Sequence, residues 1–372
     1  MNNYIRWIMQ FLFVNVIVIF VVSVIFTSWL IPKILLIAFR RNLFDEPDER
    51  KVYCGLVPRL GGVAFYPVII LSLAFVLGGN LLHGNEDVLF LFKNNSIQIV
   101  FFLCSLTILY IIGLVDDLVG VRYMTKLVVQ LISAVLLIIS GLWIDDFYGV
   151  FGVTIVPMWF SFGVTIFVIL FIVNAFNLID GIDGLASGLG AVTSLYYAVI
   201  FFLLNEYFCL FVSVATLGVI IPFFYYNVFG DVNKQKKIFM GDAGSLTIGI
   251  IFSFLFVKLL MVEDVSSIEN FNIFLLSLSP LMIPCFDVVR VVIHRLRNKK
   301  NPFLADRNHI HHKLLAIGLS QRKAMMLIVL TAFLWIIFNL VLMLVFDVNI
   351  ILIIDIVIYT FVNIWLTKKI NK

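Results

Sequence analysis

Residues 159–204 read WFSFGVTIFVILFIVNAFNLIDGIDGLASGLGAVTSLYYAVIFFLL. A hydrocarbon layer about 30 Å thick takes roughly 20 apolar residues of helix to cross, and each half of this stretch supplies such a run. Between them stand Asn177, Asp180 and Asp183 with Gly181 and Gly184. Carboxylates are costly inside hydrocarbon and are usually functional there. The stretch therefore reads as two membrane spans that meet in water at a polar turn, and not as one long helix.

Read outward from that turn, the same rule finds eleven candidate spans. They run over about 8–36, 63–80, 97–115, 124–142, 159–179, 183–204, 207–226, 243–261, 270–293, 323–346 and 349–367. Composition agrees, since 62% of the 372 residues are hydrophobic and 13% charged, where a soluble chain carries about 25% charged residues. The first run is too long for the apolar core of a signal peptide and reads as a retained span. Pro280 and Pro284 fall in the ninth span, where a missing backbone donor predicts a bend. Residues 147–157 alternate about a glycine and predict a small hairpin outside the membrane. The expected fold is all-α and integral to the membrane, a single polytopic domain over 1–372. Its polar loops lie at about 37–62, 116–123, 177–183, 227–242 and 294–322.

All but three of the 26 Lys and Arg residues (Arg6, Lys93 and Lys258) fall on one side of this arrangement. The positive-inside rule makes that side cytoplasmic, with the N-terminus outside and the C-terminus inside. Because the basic residues spread over five loops and form no single stripe, a nucleic-acid partner is not expected. The four Cys are far apart, without CxxC spacing, so neither a disulfide frame nor a thiolate metal site is suggested. No Walker loop, GxGxxG or Ser-His-Asp grouping appears.

Five polar stretches lie on the basic side. Asp116 and Asp117, in 113-GLVDDLVGVR-122, can share a divalent cation or a proton; such a pair also suits a solvated helix end. Lys126 follows, where an ammonium could meet a phosphate. In 174-NAFNLIDGIDGLASG-188, Asn177, Asp180 and Asp183 are three apart and share a helical face. In 238-IFMGDAGSLTIG-249, Asp242 heads a helix whose first turn offers free N–H groups beside a carboxylate. That suits Mg²⁺ shared with a phosphate, and equally a plain Asp cap. In 302-PFLADRNHIHHKL-314, His309, His311 and His312 lie beside Arg307; the absence of a Cys or Glu at ligand spacing argues against zinc, and the mixture suits a diphosphate. The fifth stretch, 45-DEPDERKVYCGLVPRLGG-62, reads as a polar loop that tightens at Gly61 and Gly62 on entering the second span.

In this order, DEPDERKV, VDD, NLIDGIDGL, FMGDAGS and DRNHIHHKL resemble the polyprenyl-phosphate N-acetylhexosamine-1-phosphate transferases over roughly residues 10 to 345. The His-Ile-His-His form is similar to the branch that uses UDP-N-acetylglucosamine. The phospho-MurNAc-pentapeptide branch of peptidoglycan synthesis, the alternative within the family, shows three successive His. Relatives often carry His where this chain has Tyr53.

The resemblance implies transfer of N-acetylhexosamine-1-phosphate from a UDP-sugar to undecaprenyl phosphate at the cytoplasmic face of a bacterial inner membrane. It implies Mg²⁺, with Mn²⁺ as the alternative, held by Asp242 and Asn177 with the diphosphate. It places the uracil against Asp183 and Phe239, with Asp180 and Asn227 nearby. It sets Asp116, Asp117 and Lys126 at the lipid phosphate, one Asp as its base, and gives the diphosphate and sugar to Arg307, His309, His311 and His312. The expected partners are the two substrates, membrane lipid and a second copy of the chain. Since two anions must meet, neutralising cations and in-line positioning should dominate catalysis, and direct attack is favoured over an aspartyl-phosphate. A membrane transporter is the rival from another class; the acids at one rim, away from the midplane, count against it.

Overall fold

The structure is a computed structural model that describes residues 2–44, 56–82, 96–262, 265–299 and 308–370. The DEPDERKV loop, Tyr53 and Arg307 lie outside the described residues. Thirteen helices are described: α1 (Asn2–Arg41), α2 (Phe65–Leu82), α3 (Ser96–Val119), α4 (Tyr123–Ile139), α5 (Met158–Ile179), α6 (Leu185–Leu203), α7 (Tyr207–Phe229), α8 (Gly241–Leu260), α9 (Ile273–Leu278), α10 (Met282–Arg297), α11 (Ile310–Ala316), α12 (Gln321–Met343) and α13 (Val348–Ile370). With α9 and α10 taken as one interrupted span, ten are long and apolar enough to cross a membrane, which makes the chain a multi-pass membrane protein. The fourth expected span, α4, is a 17-residue apolar helix, at the lower limit for crossing.

The bundle is built around α8, whose apolar window is buried throughout and which packs against α3 and α5. Two glycines let the backbones come this close. A Cβ on Gly62 would stand 2.1 Å from the Gly244 backbone, and one on Gly113 would stand 2.7 Å from that of Ala243. Both contacts fall in the first turn of α8, so the helix start is pinned from two sides. Residues 58–62 also run beside 239–240: Phe239 N–H donates to Pro58 O (2.9 Å), Gly61 N–H to Phe239 O (2.9 Å) and Gly62 N–H to Met240 O (2.8 Å).

The ninth span breaks at Pro280, where a 3-10 turn, Ser279–Leu281, separates α9 from α10. Carbonyls near the break would be costly to leave unpaired in hydrocarbon. The facing helix satisfies them: Tyr196 OH donates to Leu276 O (3.0 Å), Tyr197 OH to Ser277 O (2.8 Å) and Thr193 OH to Pro280 O (3.1 Å). The expected hairpin at 147–157 contracts to one isolated antiparallel bridge, Asp146–Ile155. Between its arms runs a 3-10 turn, Val150–Gly152, with Phe151 at φ 53°. The turn takes up the chain that a strand ladder would need, and Asn349 ties it to α13 by accepting from Phe151 N–H (2.6 Å) and donating to Gly149 O (3.0 Å).

Candidate functional site

At one end of the bundle the C-terminus of α3, the N-termini of α4 and α8 and the turn after α5 meet. Asp116, Asp117 and Asp242 place carboxylate oxygens within 4.8 Å of one another. The Lys126 ammonium sits between two of them, 2.9 Å from Asp116 Oδ2 and 2.7 Å from Asp242 Oδ2. Asn177, from the last turn of α5, donates to Asp242 Oδ1 (3.2 Å) and to Ser245 Oγ (2.9 Å). Asp116 is steadied by Val121 N–H, which donates to its Oδ1 (2.7 Å).

Asp117 has a different task from its neighbour. Its two oxygens accept the Asp242 N–H (2.7 Å) and the Ala243 N–H (2.9 Å). These are first-turn donors that α8 cannot satisfy within itself. Asp242 stands in the first turn of this helix, as the sequence predicts; the alternative of a plain Asp cap does not hold, because Met240 is the cap residue and makes no side-chain cap bond. The cap comes instead from Asp117, on another helix, which leaves the Asp242 carboxylate to face Lys126 and Asn177.

The turn between α5 and α6 extends the site. Asp183 Oδ2 pairs with Lys237 Nζ at 2.5 Å. Asn227 is buried and structural in its bonds: Oδ1 accepts from Gly184 N–H (2.6 Å) and Nδ2 donates to Ile238 O (2.9 Å). It thereby locks the Asp183 turn to the strand-like segment that carries Lys237 and the half-buried Phe239. Burial pushes the Asp180 carboxyl up to about 7; Asp242 and Asp183 push the same way, and the Arg59 guanidinium opposes them. The Arg59 backbone carbonyl and the Asp117 carboxylate both lie against Gly241.

Asp180 carries a testable pH dependence. A carboxyl held above its unfolded value of about 3.9 contributes stability below that value and loses it as pH rises through about 7. Asp180→Asn, neutral throughout, should therefore raise the thermal midpoint of the apo protein at pH 8 and raise it much less at pH 4.5. A midpoint difference that does not vary with pH would sink this assignment.

The histidine segment docks on the same turn. His311 is 1% exposed, and a Cβ on Gly181 would stand 2.2 Å from its Nε2. Among the described residues neither ring nitrogen has a hydrogen-bond partner. Burial, then the neighbouring His312 and His309, hold its pKa down at about 3, so the ring is neutral at pH 7. His309 and His312 flank it, with ring centroids 5.7 and 4.2 Å away.

Asp116, Asp117, Lys126, Asn177 and Asp242 thus form one bonded cluster, Asp183 and Asn227 brace the turn that follows Asn177, and His311, with His309 and His312 beside it, lies against Gly181 of that turn. Sequence reasoning passed over Arg59 and Lys237. Lys237 ends the run 234-KQKK-237, which reads as surface charge, yet its ammonium is nearly buried. Only the pairing with Asp183, 54 residues away, sets it apart. Arg59 lies in a motif noted for its glycines.

The chain matches the model of glycosyl transferase family 4 over residues 99–260. It is 30% identical over 322 residues to the probable undecaprenyl-phosphate N-acetylglucosaminyl 1-phosphate transferase of Bacillus subtilis (strain 168), covering 86% of this chain and 83% of that one. It is 29% identical to the undecaprenyl-phosphate alpha-N-acetylglucosaminyl 1-phosphate transferase of Yersinia pestis, over 80% and 76% of the two chains. The enzyme of that name from Escherichia coli (strain K12) is 28% identical over the same shares. Matched over most of its length, the chain belongs to glycosyl transferase family 4, among the polyprenyl-phosphate N-acetylhexosamine-1-phosphate transferases.

Proposed function

We propose that the chain transfers N-acetylglucosamine-1-phosphate from UDP-N-acetylglucosamine to undecaprenyl phosphate and releases UMP, as the first step of a lipid-linked glycan. The relatives' names supply sugar and acceptor. The observation that supports the reading is the convergence itself: Asp117 and Asn177 both bond to Asp242, and Gly181, in the turn after Asn177, lies against His311. Four separate stretches of sequence thus build one rim. With basic loops inside, that rim faces the cytoplasm of the bacterial inner membrane, where the nucleotide sugar is available.

The donor set fits a divalent cation. Three carboxylates converge within 4.8 Å, Mg²⁺ prefers such hard oxygen ligands with phosphate oxygens completing its shell, and the Lys126 ammonium already stands between two of them as a cation would. Asp242 and Asp116 would hold the metal, with Asn177 orienting Asp242. Bound there, Mg²⁺ would neutralise charge on the diphosphate.

The remaining chemistry belongs to the chain. Lys126 meets the lipid phosphate, whose oxygen forms a bond to the β-phosphorus of the UDP-sugar. The bond from that phosphorus to the bridging oxygen breaks, and UMP leaves with the electron pair. No proton need be removed first, because a phosphate monoester is largely ionised near pH 7, its second pKa being about 6. Arg59 neutralises charge on the diphosphate and the histidine segment aligns it. Asp183 and Phe239 take the uracil, and Lys237 sets the Asp183 carboxylate.

The test is UMP release by purified protein given undecaprenyl phosphate and a panel of UDP-sugars. Release with UDP-N-acetylglucosamine is expected, stopped by EDTA and restored by Mg²⁺. Turnover in EDTA would count against the metal site, and no release with any UDP-sugar would count against the function.

A further inference from the structure

Asp287 lies within α10 and is 0% exposed, surrounded by apolar sequence in a membrane-crossing helix. A carboxylate so placed needs a reason. Its partners supply one. Oδ2 lies 2.8 Å from His309 Nδ1. Oδ1 accepts from Ile310 N–H (3.0 Å), Arg290 Nη2 (2.9 Å) and Tyr359 OH (3.2 Å). Arg290 also donates to Asn308 O. One carboxylate and its arginine therefore hold the backbone and side chain of residues 308–310, the entry to the histidine segment.

A carboxylate can only accept, so the His309 nitrogen facing it must carry the proton. That fixes the tautomer and turns Nε2 away from Asp287. The hydroxyl that completes the arrangement comes from α13, 72 residues further along the chain. A second contact ties α13 to the histidine segment itself: Lys313 on α11 donates to Thr367 Oγ1 (3.0 Å) and lies 3.4 Å from Asn363 Oδ1. Both α10 and α13 fall outside the matched residues 99–260.

We infer that Asp287 and Tyr359 are positioning residues for transfer, fixing the tautomer and aim of His309 so that its Nε2 addresses the sugar diphosphate, with α13 a working part of the site. The inference rests on the proposed role of the histidine segment. Neither residue touches substrate; both act through His309.

The test is a double-mutant cycle on the full-length protein in detergent, read as UMP release. Asp287→Asn should lower kcat about 10- to 100-fold, the range for groups that orient a functional histidine, and shift KM for either substrate less than about 3-fold. In a His309→Gln background the same substitution should cost little more, because the partner it positions has gone. Tyr359→Phe, which keeps the ring and all other bonds, should show the same non-additivity with a smaller kcat loss, and it stands in if Asp287→Asn fails to fold. Losses that multiply in the double variants, or that appear in KM alone, would overturn the inference and leave the transferase reading standing. Full activity of His309→Gln would instead strike the histidine role itself.

Discussion

Asp242→Asn is expected to cut UMP release by about 10³-fold or more while leaving the thermal midpoint of the purified protein nearly unchanged. The first half follows from what converges on this carboxylate. Oδ2 faces Lys126 at 2.7 Å and Oδ1 faces Asn177 Nδ2 at 3.2 Å. An amide has one acceptor, so Asn must point its NH₂ group at one of two existing donors. It also removes a charge that a divalent cation requires. The second half follows because the bond lost at one donor is offset by relief of repulsion among three carboxylates within 4.8 Å, while the Asp242 N–H that Asp117 accepts is untouched and Lys126 keeps Asp116 at 2.9 Å. Activity above about a tenth of the unsubstituted protein would remove Asp242 from the centre of the site; the fold-change expected is that for losing electrostatic stabilisation of the transition state.

What the sequence made legible was whatever repeats locally. Apolar runs of membrane length give α5 and α6 and the turn between them, because hydrophobic burial in lipid depends on each run alone. Asn177, Asp180 and Asp183 could be grouped because helical spacing places them together, and Pro280 marks its own break. The fine structure of the site escaped for a physical reason: its decisive bonds join distant residues. Asp117 reads as half of a local pair, yet its bonds go to residues 125 and 126 positions away. Asn227 reads as a nucleotide contact from the resemblance, and the structure gives it two backbone partners that brace the turn. Asp287 has no motif around it; its significance depends on His309 and Tyr359 arriving from other helices. At 147–157 local alternation suggested a ladder, and the structure has a single antiparallel bridge around a 3-10 turn.

Asp117→Asn should differ from Asp242→Asn in losing stability as well as turnover, although both change one oxygen to an amide near the same pocket. Asp117 caps α8 from α3, and both of its oxygens are used. Asn can accept from one of the two N–H groups and must leave the other facing its own NH₂, a lost bond that costs about 1–3 kcal/mol in a partly buried site. The negative charge at a helix N-terminus, favourable to the helix dipole, is lost with it. No easy rearrangement offsets this. Gly241, at φ +74°, has its hypothetical Cβ position 2.5 Å from Asp117 Oδ2, and Gly113 holds α3 against the Ala243 backbone. The strain must therefore pass to the first turn of α8, which carries Asp242 itself. A lowered thermal midpoint together with UMP release reduced about 10²-fold or more is the expected pair of results, the activity loss being that for displaced electrostatic groups. Melting curves and initial rates on the two variants, purified side by side, decide the matter. If Asp117→Asn were inactive with an unshifted midpoint, Asp117 would be acting on the lipid phosphate directly, and the division of labour between the adjacent aspartates would have to be reversed.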